Sequence, residues 1–404
     1  MDPGNLDKWL NGLFPGENVE QEGGGKARVI LIAFPGRNRF VEDRGACMRS
    51  VKHALLLMGL LTLFLLPACS GWNATTAKSA AKEIPFLGGT EWLHTCGENL
   101  VAVSRRDDVF LWDWGDLEKP PIKGHGGRGL ATAFLVPDRI VTTVDPWQRP
   151  PNTPYPVLVK NLVSGSIEKQ WGDDPAWYCE GMRTSVNGKF VVIRTNQNSN
   201  VTNTPGESRY RVGIIGPEAD RIAWAPEIRE KKGTLYVAES VPSEDGRFVA
   251  TVGVNNGSWI CLVEVGQERV AWEFVDDMDV GFKDAAFSPD SKAVYAGGGS
   301  GVLYTFDVAT GKVKSRWLIG DGKHVEYGNR ISRVAASPDG RLVAAGTGPD
   351  GAVYIWEVQT GNRLDVLQTR QSTIMGLTFG PDSKRLAVTG VENRTIEIWD
   401  VTQE

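Results

Sequence analysis

Ala336-Ser337-Pro338-Asp339-Gly340-Arg341-Leu342-Val343-Ala344-Ala345 joins a tight turn to an apolar run, and Ile355-Trp356-Glu357 follows shortly after it. The same sentence recurs six times between Leu135 and Lys384. Its turns are centred on Pro137-Asp138, Asn187-Gly188, Asp245-Gly246, Asp290-Ser291, Asp339-Gly340 and Asp382-Ser383. Its second anchor reads Leu111-Trp112-Asp113, Val159-Lys160-Asn161, Leu262-Val263-Glu264, Thr305-Phe306-Asp307, Ile355-Trp356-Glu357 and Ile398-Trp399-Asp400, with a weaker copy at Ile214-Ile215-Gly216. A period of roughly 43 to 58 residues is that of a repeat architecture, and with the unit ahead of the first turn about seven units are present.

An Asp-Gly or Asn-Gly turn supplies the positive φ of a tight hairpin, and the period-two apolar runs beside it bury their faces against neighbouring units. Short four-stranded sheets of this kind bury both faces only against one another, so the circle must close. The last unit lacks a fourth strand after Ile374 to Phe379, Arg385 to Thr389 and Thr395 to Val401. The segment Lys82 to Leu87 is expected to supply it, which leaves no open edge. The 47 Gly, 22 Pro and 14 Trp, with little helical periodicity beyond the first 70 residues, agree with an all-β fold.

Phe287-Ser288-Pro289-Asp290, Ala336-Ser337-Pro338-Asp339-Gly340 and Ile396-Glu397-Ile398-Trp399-Asp400-Val401 resemble the WD-repeat family, and the resemblance extends from Ile84 to Glu404. It implies a seven-bladed β-propeller. Only one Gly-His pair occurs, Gly124-His125, so the family's His-to-Asp network is absent from most units. His125 is expected to bond within its own blade.

The front of the chain reads differently. Met48-Arg49-Ser50-Val51-Lys52-His53 is a basic start, Ala54 to Leu66 is apolar and uncharged, and Pro67-Ala68-Cys69-Ser70 follows. This is the layout of a secretory signal peptide, too short for a comfortable membrane span. Leu66-Pro67-Ala68-Cys69 resembles the lipobox of bacterial lipoproteins, which implies acylation of Cys69 and a cell-envelope location, with Ser70 in the position the family associates with outer-membrane sorting. Cleavage after Ser70 to give a secreted protein is the competing reading, and an uncleaved anchor a third. The expected organisation is therefore 1–47 as a non-native or disordered extension without strand or helix period, 48–69 as signal peptide, 70–81 as linker and 82–404 as propeller. Met48 is the expected true start.

Residues 69–404 carry 36 Lys and Arg against 42 Asp and Glu. A mildly acidic propeller without a basic stripe is a poor nucleic-acid binder. Cys96, Cys179 and Cys261 are odd in number and lie on different blades, so free buried thiols are expected. His94, His125 and His324 form no paired-His motif, and no Cys pair has metal-ligand spacing. Gly297-Gly298-Gly299 lies between strands and does not open a helix, so it is a hairpin and not a phosphate loop. Neither cofactor nor metal is expected, and the chain is expected to be a monomer by itself.

What remains is surface recognition. In the second unit the connection between strands b and c swells into Asp145 to Pro156, and in the third into Asn196 to Arg209; both emerge on one face of the disc. Trp147, Arg149 and Tyr155 of the first insertion stand there, joined by Trp177 and Tyr178, and by His324 and Tyr327, on loops from strand d to the next strand a. Rigid aromatics on Pro-stiffened loops suit a binding hot spot. Trp171, Trp272 and Trp317, with Trp224 as a possible fourth, each follow a strand c to d turn and are expected to pack blade on blade. Three functions stay open: a protein or peptide scaffold, a propeller hydrolase or lyase acting on a lactone or polysaccharide, and a lipoprotein resembling the outer-membrane assembly propellers. The second would need acidic or His residues converging at the channel mouth, which the sequence does not mark.

Overall fold

A computed structural model describes residues 30–34, 37–41 and 78–401. Within the last span it leaves out 87–89, 105–107, 126–130, 144–155, 173–176, 198–208, 230–234, 268, 278–279, 320–329 and 392–393. The chain divides into two units, Met1–Thr75 and Thr76–Glu404. In the first, Ile30–Phe34 pairs antiparallel with Arg37–Val41. The register sets Ile30 opposite Val41 and Phe34 opposite Arg37.

The second unit is a seven-bladed β-propeller of antiparallel sheets. The innermost strands, a, of blades 1 to 7 are Thr90–Cys96, Thr132–Leu135, Trp177–Thr184, Leu235–Pro242, Phe282–Phe287, Arg330–Ala336 and Ile374–Phe379. In blade 3 the outermost strand is split into Ala223–Trp224 and Ile228–Arg229, both pairing with Arg209–Ile215. Blade 7 ends as the sequence led one to expect. Its fourth strand is Lys82–Pro85, paired antiparallel with Thr395–Asp400 in the register Ile84 to Ile396.

The turns between strands a and b explain why the repeat is legible. Ser185, Ser243, Ser288 and Ser337 each donate a hydroxyl hydrogen bond to the Asn or Asp two residues on, at 2.6–2.7 Å. Each also accepts the backbone N–H five residues on. Left-handed φ then falls on Gly188, Gly246, Ser291, Gly340 and Ser383, the only torsion that closes so tight a hairpin.

The core is distributed. Seven hydrophobic clusters are each shared by two adjacent blades, such as Val241, Ala250 and Val252 of blade 4 with Phe282, Ala285 and Phe306 of blade 5, and Ile84, Ile396 and Ile398 of blade 7 with Leu93, Leu100 and Trp112 of blade 1. No blade buries its faces by itself, as expected of a radial repeat.

The periodic tryptophans seal these interfaces at the rim. Trp171 of blade 2 donates its indole N–H to the Asp220 carbonyl of blade 3 at 2.9 Å, and Trp272 of blade 4 to the Val308 carbonyl of blade 5 at 2.7 Å. Trp317 of blade 5 stacks on Trp356 of blade 6, centroids 6.2 Å apart. Trp224 lies over Gly213 and Arg211 of its own blade and packs on the cluster shared by blades 2 and 3.

Candidate functional site: the central channel and its two mouths

In six blades strand a carries a β-bulge at the same place, between Thr90/Trp92, Cys179/Gly181, Val237/Glu239, Phe282/Asp284, Ile331/Arg333 and Ile374/Gly376. A bulge re-aims the residue that follows it. Here those residues include Trp92, Glu239, Asp284 and Arg333, and they meet in one buried polar network.

Arg183 of blade 3 donates to Asp284 of blade 5 and lies 3.9 Å from Glu239 of blade 4. Asp284 also accepts the Val334 N–H of blade 6 at 2.8 Å. Arg194 reaches Glu239 at 3.7 Å and Glu180 at 3.9 Å, and donates to the Ala238 carbonyl at 2.9 Å. Arg333 donates to the Met375 carbonyl of blade 7 at 2.6 Å while its guanidinium lies over the Trp92 ring of blade 1. One network thus spans six blades. Burial opposes the charge on Arg183, but Asp284 and Glu239 outweigh it and hold its pKa above the ordinary value. Arg333 has a lowered pKa, first through burial and then through the like charge of Arg183.

His94 stacks on Trp92, and its Nε2 is sealed from solvent with no hydrogen-bond partner among the described residues. Burial, then Arg183 and Arg333, pull its pKa well below the usual histidine value, so the ring is neutral near pH 7. It borders an inner cavity of about 40 Å³. Beyond this, at the end of the channel formed by the a-to-b turns, a second cavity of about 250 Å³ opens. Its walls are Phe287, Pro289, Pro338 and Pro381, with Glu98 and Glu244 as its carboxylates.

The opposite mouth, where strands a begin, is the face of the insertions. Trp147, Arg149, Tyr155, His324, Tyr327 and Cys69 lie outside the described residues, but the strands flanking the insertion are b and c of blade 2 (Arg139–Thr143 and Val157–Asn161), and those flanking the next are b and c of blade 3 (Val191–Gln197 and Arg209–Ile215). Trp177 and Tyr178 are placed differently from expectation. They are the first residues of strand a, not a loop, because strand b is long enough to pair Gln197 with Trp177 and Asn196 with Tyr178. Trp177 covers the Arg211 guanidinium at 5.0 Å, with Trp224 beneath it at 4.6 Å. Tyr178 donates to Glu180 at 3.1 Å, and burial and that carboxylate push its pKa up to about 12. Both are half-buried. The sequence reading missed Tyr236, which is 54% exposed at the same mouth with Lys283 over its ring, and Val280, 64% exposed nearby.

The converging charges were missed as well, although a signal existed. Glu239, Asp284 and Arg333 each stand six residues before the turn Asp245, Asp290 and Asp339. Cys96, Cys179 and Cys261 are buried and form no disulfide among the described residues, and burial pushes the Cys179 thiol up to about 12. Among the described residues no group of three His, Cys, Asp or Glu is arranged to hold a metal.

The family model for the WD domain, G-beta repeat, matches residues 322–357 and 361–400. The chain is 25% identical over 178 residues, 44% of its length, to the periodic tryptophan protein 2 homolog of Dictyostelium discoideum, of which the match spans 18%. It is 27% identical over 150 residues to an uncharacterized WD repeat-containing protein of Synechocystis, covering 36% of this chain and 38% of that one. Among solved structures, the β-propeller domain of Cps50 (Swd1) from Myceliophteria thermophila superposes with a TM-score of 0.56 at 14% identity, over 80% of this chain and 99% of that domain. These similarities support a WD-repeat β-propeller.

Proposed function

We propose that this propeller is a non-catalytic scaffold that holds another protein or peptide on the face where strands a begin, and that the chain is exported and lipid-anchored in the cell envelope through Cys69. The observation that carries the recognition reading is the exposed Tyr236 with Lys283 over its ring at the inner rim of that face. Tyrosine with a neighbouring cation is the kind of rigid amphipathic anchor on which interface energy concentrates. The similarity to WD-repeat proteins points the same way.

The channel network speaks against the lactone or polysaccharide chemistry weighed above. Glu239 and Asp284 are both already engaged by guanidinium groups of the fold, whereas a general acid or base must reach the proton that it transfers.

Alanine at both Trp147 and Tyr155, and separately at Tyr236 and Lys283, tests the recognition face. Loss of partner capture with the melting temperature nearly unchanged supports it; a large fall in stability assigns these side chains to the fold. Intact mass of the mature protein tests the anchor. A diacyl or triacyl mass on Cys69 in the membrane fraction supports it, and an unmodified start near Gly71 in the soluble fraction overturns it.

A further inference from the structure

We propose that the turn-side mouth of the channel is a second docking site, which takes the side chain of a Lys or Arg from a polypeptide partner. It lies at the far end of the channel from the insertion face and does not depend on that reading. The cavity of about 250 Å³ falls below the volumes that hold drug-sized ligands, about 300–1,000 Å³, and suits a single side chain. Phe287, Pro289, Pro338 and Pro381 give it apolar walls, three of them prolines from successive blades that need no ordering on binding. An alkyl stem fits such walls, and what its tip must satisfy is set by charge.

The lining holds Glu98 and Glu244 and no Lys or Arg. Glu98 is exposed. Glu244 is fixed in place, its carboxylate accepting the backbone N–H groups of Val186 at 2.8 Å and Asn187 at 2.9 Å. The other acids of this face already have partners: Asp339 is bound by Arg341 and Asp382 by Arg385, each at 2.8 Å. Among the described residues, no ion pair involves Glu98 or Glu244. An alkyl cation therefore completes both the apolar and the electrostatic demands of the cavity, and the acidic balance of the whole chain, −5, favours approach of a basic partner.

The probe is the pentapeptide acetyl-Gly-Gly-Arg-Gly-Gly-amide, titrated into the full propeller by NMR, with norleucine and glutamate versions and putrescine alongside. The Arg peptide is expected to shift the amide signals of Asn187 and Ser337, to bind at least about tenfold more tightly than the norleucine peptide, and to weaken with added salt. Glu98→Gln, an exposed change that leaves the fold intact, is expected to lower that affinity about fivefold or more. Equal binding of the norleucine peptide, indifference to Glu98→Gln, or no shift up to about 10 mM peptide would overturn the proposal. Putrescine binding as tightly as the peptide would overturn the assignment to a polypeptide.

Discussion

Arg183 of blade 3 passes blade 4 and binds Asp284 of blade 5 across the channel. Because Asp284 also accepts from Val334 of blade 6, a single carboxylate ties three blades together. Removing one member of a buried pair strands the other's charge, which costs about 3–5 kcal/mol, whereas replacing both with apolar groups of similar volume is often near neutral. Asp284→Ala is expected to lose stability on that scale in urea denaturation, and Arg183→Met with Asp284→Leu to recover most of it. A double variant as unstable as the single would show that the network is not governed by stranded charge.

His94 sets an acid limit. Its folded pKa is lowered, by burial first and by Arg183 and Arg333 next, so below about 6.5 the unfolded chain takes up a proton that the folded chain refuses. Stability is therefore fully present above that value and falls as pH drops from it through the folded pKa. His94→Gln is expected to flatten this slope of melting temperature between about pH 6.5 and 5. An unchanged slope would remove His94 as its source.

The clasp is tested at Ile84, buried between blades 7 and 1. Ile84→Ala should cost about 2–5 kcal/mol. Its neighbour Glu83 forms a surface ion pair with Arg370 at 2.6 Å, worth no more than about 1 kcal/mol. Comparable losses at the two positions, measured by thermal unfolding, would contradict closure through Lys82–Pro85.

The rim tryptophans give a controlled comparison. Gly311 and Gly165 have nearly the same left-handed φ, 71° and 69°. A Cβ on Gly311 would meet Trp272 Cγ at 2.7 Å, whereas one on Gly165 meets nothing within 4 Å. Gly165→Ala measures the backbone strain alone, on the order of 1 kcal/mol, and Gly311→Ala should cost more by the loss of the blade-to-blade contact. Equal costs would mean that Trp272 does not seal the interface.

Much of this fold could be read in advance because the Ser-x-Asp turns write their hydrogen bonds into the sequence at fixed spacing. The channel was harder. Glu239, Asp284 and Arg333 mix two acids with a base, sit on three different strands, and meet only when the bulged strands are brought to one axis. Nothing local at Asp284 foretells Arg183, a hundred residues earlier. Trp177 and Tyr178 read as part of the connection from strand d to the next strand a because they lie ahead of the third unit, while the pairing that makes them strand comes from Asn196 and Gln197.

Site-specific photocrosslinking from Tyr236 in the intact cell addresses the interaction claim most directly, with Leu364 on the outer strand Arg363–Gln368 as the control position. The account predicts a discrete adduct of defined mass from position 236 and none from position 364. No adduct from position 236, or the same adducts from both, would contradict a recognition face at the mouth where strands a begin.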